Sequence, residues 1–319
     1  MQNPFPHSDT NHRYYTYDYY LRKTFGTKCF KVPLDGGFTC PNIDGTAGTG
    51  GCSYCNLSLL HPERRARRCG EIAVYPAAPL EEQFEAARTV LHRKWPHASY
   101  IAYFQDFTNT YAKTDYLRSV YEKALSLPGV VGLNIATRAD AISDETLDLL
   151  RELHRKTVLT VELGLQTVHD ETAARIRRGH TYADFVRCVE RLGDIPFCVH
   201  LINGLPGETP DMMRQSVKNV ASLHPQGVKL HLLHILRGTA MAQQYARGEC
   251  GVMTLQDYVR VVCDQIELLP PDTVLARLTG DGLPQDLIAP EWSRKKFVVL
   301  NEIDKELSRR NTFQGFGYL

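Results

Sequence analysis

The sequence predicts an α/β protein built as a partial (β/α)6 barrel with a small C-terminal α/β extension. Apolar, β-rich runs alternate with amphipathic helical stretches, the pattern of βα units around a parallel sheet. Six such units fill roughly the first 240 residues, too few for a closed eight-unit barrel. A chain of 319 residues has room for one large domain and a modest addition. The expected division is an N-terminal arm over 1–27, the barrel over 28–240 and the extension over 241–319.

The first strand is expected over residues 29–33. A helix follows over 79–95, where Leu80, Phe84, Ala87, Leu91 and Trp95 share one face. Pro79 stands at its start, with Glu81 and Glu82 in the turn that favours acids. The second strand covers 99–104, and the next helix, 114–127, stops at Pro128–Gly129. Strand three covers 130–136. The helix over 143–156 has Ser143 as its cap and Ile142 placed to staple onto Leu147. Strand four covers 158–163, and Thr181 opens a helix carrying Phe185, Val189 and Leu192. Strand five covers 196–202, Pro210 begins a helix with Met213, Val217 and Val220, and strand six covers 228–233. A helix over 255–269 and a strand over 273–278 precede a polar C-terminal segment. The tyrosine-rich stretch from Tyr14 to Tyr20 reads as a packing arm.

Lysine and arginine exceed aspartate and glutamate by only 37 to 36. Global charge therefore marks no nucleic-acid binder, although a local basic patch would still act. The opening residues hold no apolar signal core, and no stretch reaches bilayer-spanning length, so a cytoplasmic protein without a membrane partner is expected. The nine cysteines lack the spacing of a secreted disulfide framework; in a reducing compartment, clustered cysteines point to metal.

The cluster lies in residues 31–56, KVPLDGGFTCPNIDGTAGTGGCSYCN, which place Cys40, Cys52 and Cys55 just after the first strand. Three thiolates match three irons of a [4Fe-4S] cluster and leave the fourth iron open. The glycines at 45, 48, 50 and 51 let the loop wrap tightly and aim N–H groups at sulfides. Tyr54 is placed to pack on an adenine. A structural zinc site and a redox C-x-x-C are the alternatives. Zinc lacks a fourth ligand here, and a redox pair leaves Cys40 unexplained. The remaining cysteines (29, 69, 188, 198, 250 and 263) lack ligand spacing and read as small core residues.

The stretch FGTKCFKVPLDGGFTCPNIDGTAGTGGCSYCN resembles the bacterial radical S-adenosylmethionine (SAM) group related to the elongator catalytic subunit and the oxygen-independent coproporphyrinogen oxidase. The resemblance continues through YIAYFQDFTNTYA, VELGLQTVHDETAARIRRGHT, HLINGLPGET and KLHLLHILRGT to LTGDG, nearly the whole chain. The first cysteine spacing departs from the common C-x3-C-x2-C pattern, but the long glycine-rich insert is typical of this group. The resemblance implies a [4Fe-4S] cluster on Cys40, Cys52 and Cys55, and SAM as the second cofactor. It implies cleavage of SAM to methionine and a 5′-deoxyadenosyl radical. Residues 105–110, including Gln105, Thr108 and Asn109, fall where such enzymes bind the methionine amino group. Here the segment reads QDFTNT rather than a GGE-like sequence, so backbone contacts are expected. Gln166 and Arg178, 12 apart, match a pair that handles ribose and carboxylate, with Arg177 as the alternative inward arginine. His200 matches a position near the ribose, and Gly204, in GLPGE, a close approach to adenine. Glu162 lies in an apolar strand and needs a polar partner if buried.

Lys229 and His231 alternate with Leu230 and Leu232 on the sixth strand, and so point together into the barrel. They are the first substrate candidates; His234 and Arg237 at the strand end are the next. The basic run over 63–68, ERRARR, is a candidate phosphate contact that Arg309 and Arg310 would extend. The resemblance to the elongator subunit implies a tRNA wobble uridine as substrate, with conversion of 5-carboxymethylaminomethyluridine to 5-aminomethyluridine as the bacterial reaction. A low-potential flavodoxin or ferredoxin is the expected electron donor. The alternatives are a radical SAM enzyme on a porphyrin-like small molecule, and a non-catalytic metal- or nucleic-acid-binding module.

Overall fold

A computed structural model of the chain describes residues 3–56, 78–280 and 285–318. Seven parallel strands form one sheet in sequence order: β1 (Cys29–Leu34), β2 (Ser99–Phe104), β3 (Val130–Thr137), β4 (Val158–Gln166), β5 (Phe197–Asn203), β6 (Gly227–Leu232) and, last in the order, β8 (Val274–Arg277). A two-residue β7 (Ile235–Leu236) pairs instead, antiparallel, with β9 (Leu287–Ala289). All six expected barrel strands are present. The strand expected in the C-terminal extension joins them, because β8 pairs with β6 in parallel. The sheet stays open: β1 and β8 are its two edges.

The expected helices form with their expected punctuation. Helix α4 (Asp144–Lys156) is capped by the Ser143 side chain, which accepts from the Thr146 N–H. Helix α6 (Tyr182–Leu192) opens on a full capping box between Thr181 and Asp184. Helix α7 (Pro210–Ala221) starts on Pro210 behind a Thr209 cap. The N-terminal helices are α1 (Tyr17–Phe25), α2 (Leu80–His92) and α3 (Thr114–Leu125); α5 (Asp170–Arg175), α8 (Ala240–Ala246) and α9 (Leu255–Leu268) complete the middle of the chain. Together the helices cover the apolar outer face of the sheet in one large core.

Two expectations need correction. The helix expected to run to Trp95 ends at His92, and Trp95, 40% exposed, lies at the surface with its ring 6.1 Å from that of Phe30. The polar C-terminal segment is a helix, α10 (Lys296–Arg310), whose Val299, Ile303 and Leu307 are buried; it packs on α9. Spacing of four along one stripe is the signal the charged background hid. Arg310 there pairs with Asp264, Glu267 and Glu306, and Arg309 with Glu306. Both arginines are engaged in ion pairs, and the run over 63–68 that they were expected to extend lies outside the described residues.

The N-terminal arm crosses between the sheet edges. Thr16 bridges to Leu275 of β8, and α1 lies against both β1 and β8. Tyr14 is buried in the main core, while the Lys31 Nζ sits 4.4 Å from the centre of the Tyr17 ring. The arm thus packs, as expected, and does so on the open side of the half-barrel.

Candidate active site

Cys40, Cys52 and Cys55 all line one cavity of about 310 Å³ inside the half-barrel. The loop that carries them leaves the C-terminal end of β1, where a parallel sheet presents its ligand-binding loops. Its shape is set by Asn42, whose amide donates to the Arg177 carbonyl (2.6 Å) and to Cys52 Sγ (3.4 Å). Glycines make room for that wedge: a Cβ at Gly48 would fall 2.3 Å from Asn42 Oδ1, and one at Gly179 3.3 Å from it. The Ser53 N–H donates to the Ile176 carbonyl, and the Ser53 carbonyl accepts from the Met241 N–H. The C-x-x-C turn is therefore pinned from two directions. A hydrogen bond from Cys55 draws the Cys52 thiol down to about 6 against burial, with the Arg138 charge assisting. Burial pushes the Cys40 thiol up. Among the described residues no three His, Cys, Asp or Glu side chains are grouped for a single metal ion. The donor set fits a cluster: three thiols on one cavity wall, a sulfur-directed amide and a nearby cation. Cysteines 29, 188, 198 and 263 are buried and Cys250 is half-buried, away from this wall; Cys69 and the run over 63–68 lie outside the described residues.

Around the cavity mouth, Tyr54, Gln105, Thr108 and Gln166 all contribute to the lining. Tyr54 packs on a small second core containing Ile176, Leu233 and Met241. Gln166 closes β4 with φ +68°, a conformation that turns the chain at the cavity edge. Asn109 is placed elsewhere: its amide donates to the Phe104 and Ala136 carbonyls (3.1 and 2.7 Å), bracing β2 against β3. Gly204 lies against Met253, outside the lining.

Arg178 reaches the cavity but is 1% exposed, and its guanidinium is fully engaged. Nε and Nη2 donate to the His180 carbonyl, Nη1 to the Thr167 (2.5 Å) and Leu165 carbonyls, and Nη2 also to Asp170. A guanidinium has five N–H groups, and all five are used. The expected carboxylate partner is thus a clamp on the turn after β4. Arg177, the alternative, is exposed. Sequence reasoning missed Arg138, which follows β3. Its Nε and Nη2 grip Asp140 (2.9 and 2.7 Å) and Nη1 donates to the Arg178 carbonyl (2.7 Å), which leaves one N–H on each Nη. Its neighbour His180 also lines the cavity; Nε2 is buried without a partner among the described residues. Burial and the Arg178 charge hold that imidazole down to about 4, so it is neutral.

Deeper in the barrel, each of the seven strands sends at least one polar side chain inward. These include Lys31, Tyr103, Asn134, Glu162, His200, Lys229 and Arg277, from β1 through β6 and β8. Glu162, fully buried, is the hub. Its Oε1 accepts from Lys31 (2.5 Å) and Asn134 (2.8 Å), and its Oε2 from Tyr103 (2.8 Å), His200 (2.9 Å) and Lys229. Burial would raise its carboxyl, but the Lys31 and Lys229 charges and the His200 bond outweigh that and hold it well below the usual range. The need for a partner was legible in the sequence; the number of partners was not. Burial also lowers Lys229 to about 8 and His200 to about 4. His231 lies beside His200, ring centres 5.3 Å apart and planes tilted by 56°, and burial holds it well below 6.5. Lys229 and His231 line the cavity as expected. His234 and Arg237 do not: the His234 ring presses where a Gly280 Cβ would stand, and Arg237 is exposed beside β9.

An open parallel half-barrel with a three-cysteine wall above a polar interior defines the class. The sequence signature of the Radical SAM superfamily matches residues 43–220, and that of the Radical_SAM C-terminal domain matches residues 225–309. The chain belongs to the radical SAM superfamily. It is 47% identical to the uncharacterized protein YtqA of Bacillus subtilis over 99% of this chain and 96% of that one. It is 25% identical to the tRNA uridine(34) acetyltransferase of Methanocaldococcus jannaschii over 47% of this chain, and so spans 28% of that protein. The solved structure of Elp3 from Methanocaldococcus infernus shares the fold, with a TM-score of 0.64 at 17% identity over 90% of this chain and 64% of that one. The cofactors of this enzyme are a [4Fe-4S] cluster and SAM. Among the described residues no helix is long and apolar enough to cross a membrane.

Proposed function

We propose that this radical SAM enzyme acts on the wobble uridine of tRNA: the N–CH2 carbon of 5-carboxymethylaminomethyluridine loses two electrons, which SAM takes up on becoming methionine and 5′-deoxyadenosine, and water then releases the two-carbon unit as glyoxylate and leaves 5-aminomethyluridine. Similarity to a tRNA uridine(34) enzyme supports the substrate. The observation that carries the reaction is the charge inside the barrel. Two ammonium groups, Lys31 and Lys229, share the single carboxylate of Glu162. The cavity floor is thus cationic, and suits a uridine substituent that ends in a carboxylate.

Cys40, Cys52 and Cys55 hold the cluster in this reading. When bound, the cluster and SAM supply reductive homolysis of a carbon–sulfur bond and an alkyl radical able to abstract hydrogen. The chain's own residues orient and enclose. Arg138, with an N–H left on each Nη, takes the methionine carboxylate in place of Arg178. The neutral Nε2 of His180 accepts a hydrogen bond from an amino group. Tyr54 and Gln166 border the nucleoside. Lys229 and His231 face the substrate, and Glu162 fixes Lys229 in place, while the buried walls exclude water. A low-potential flavodoxin or ferredoxin delivers the electron.

The test is incubation of anaerobically reconstituted protein, SAM and dithionite with tRNA carrying the carboxymethylaminomethyl group, followed by nucleoside mass spectrometry. Loss of the parent nucleoside with gain of the lighter aminomethyl product is the expected result. An unchanged nucleoside alongside SAM cleavage would show a different substrate.

A further inference from the structure

Behind the reaction cavity lies a second one of about 330 Å³, at the open seam between β1 and β8. The two share Tyr103, Gln105, Lys229 and Arg277, so only these side chains separate them. The seam cavity is bordered by the arm and β1, through Tyr17, Asp18, Lys28, Phe30 and Lys31.

From its mouth a strip of alternating cations and rings runs over the surface. The Lys31 Nζ lies 4.4 Å from the Tyr17 ring centre. Lys28 lies 5.8 Å from Phe30 and 5.6 Å from Trp95, and Lys94 5.7 Å from Trp95. On the arm, Arg22 and Lys23 both lie 5.7 Å from the Tyr19 ring. Asp9 and Asp18 offset Arg22 and Lys28, but Lys23 and Lys94 meet a ring and no carboxylate among the described residues. Arg93 and Lys94 are exposed, and so is Trp95. This concentration stands out in a chain whose net charge is only +1.

We propose that the seam and this strip form a binding surface for single-stranded RNA, holding the nucleotides that flank the base entering the reaction cavity. The inference rests on the reading that the substrate is tRNA. Cations spaced between the half-buried Tyr17, Tyr19 and Phe30 rings and the exposed Trp95 ring match a chain of alternating phosphates and bases, the pattern by which proteins hold single strands without reading sequence. An acidic peptide would use the cations and leave the rings idle. Continuity with the reaction cavity through Lys229 and Tyr103 gives the strip its purpose: it holds the loop so that one base can leave the stack.

The reconstituted full chain is titrated into a fluorescent anticodon stem–loop with 5-carboxymethylaminomethyluridine at the wobble position, across a salt series, with polyglutamate as competitor. Trp95→Ala is expected to weaken binding about tenfold, the loss of one stacked base. Lys94→Gln is expected to lower the slope of log affinity against log salt by about one, and Lys305→Gln, on α10, to change nothing. RNA-independent 5′-deoxyadenosine formation stays at the wild-type level in all three. Wild-type affinity in both seam variants, with the nucleoside still converted, overturns the surface and leaves the substrate reading standing. A wild-type protein that neither binds nor modifies the RNA overturns both. Polyglutamate competing as well as RNA, with Trp95→Ala silent, identifies an acidic polypeptide surface and overturns the proposal.

Discussion

Arg178 and Arg138 carry the same guanidinium, and their surroundings send them to opposite tasks. Every N–H of Arg178 closes on protein oxygen, mostly backbone carbonyls. Removing it strands the carbonyls of Leu165, Thr167 and His180 in a buried turn. Arg138 keeps an N–H on each Nη at the wall that Cys40, Cys52 and Cys55 share. Arg178→Lys is therefore expected to lower unfolding free energy by about 3 kcal/mol or more, read from denaturant midpoints. Arg138→Gln is expected to lower that free energy less, by about 1–2 kcal/mol for the lost bonds to Asp140 and the Arg178 carbonyl, and to weaken equilibrium SAM binding about tenfold or more, as the loss of a charged hydrogen bond implies. The reverse pattern would return the carboxylate role to Arg178. The sequence shows one arginine just after the third strand and another 12 residues beyond Gln166; it cannot show that one turn folds back to consume a whole guanidinium. Glu162 was more legible, because a carboxylate in an otherwise apolar strand demands partners. Their identities come from five other strands.

At the scale of elements, local signals translated well where chemistry is local. Ser143, Thr181 and Pro210 mark their helix starts because a cap needs only its own first turn. Helix α10 was hidden because its buried stripe is narrow and its other faces are charged. The N-terminal arm depends on α10 in turn. His12 Nδ1 lies 3.0 Å from Asp304 of that helix, and this hydrogen bond, against burial, raises the imidazole above 6.5. A raised histidine stabilises the fold fully below pH 6.5, and the contribution disappears as pH rises through the folded value. Wild type is thus expected to exceed His12→Gln in Tm at pH 6 and to converge with it as pH rises through the raised folded value, with a modest gap because both groups are partly exposed. A gap that widens with pH would contradict the pairing.

At the scale of the whole molecule, the open sheet explains how one chain serves two tasks. Leaving β1 and β8 unpaired with each other costs backbone hydrogen bonds at two edges, which the arm covers only in part through Thr16 and Leu275. In return the interior opens sideways, between the cysteine wall above and the Glu162 belt within. In the proposed reading Cys40, Cys52 and Cys55 together hold the cluster on which the enzyme's chemistry depends. The direct measurement is anaerobic reconstitution of wild type and of the three single Cys→Ala variants, with iron content and 5′-deoxyadenosine followed after addition of SAM and dithionite. Wild type is expected to hold a four-iron cluster and form 5′-deoxyadenosine, and every variant to lose both. Full iron loading and undiminished 5′-deoxyadenosine in any one of the variants would contradict that reading.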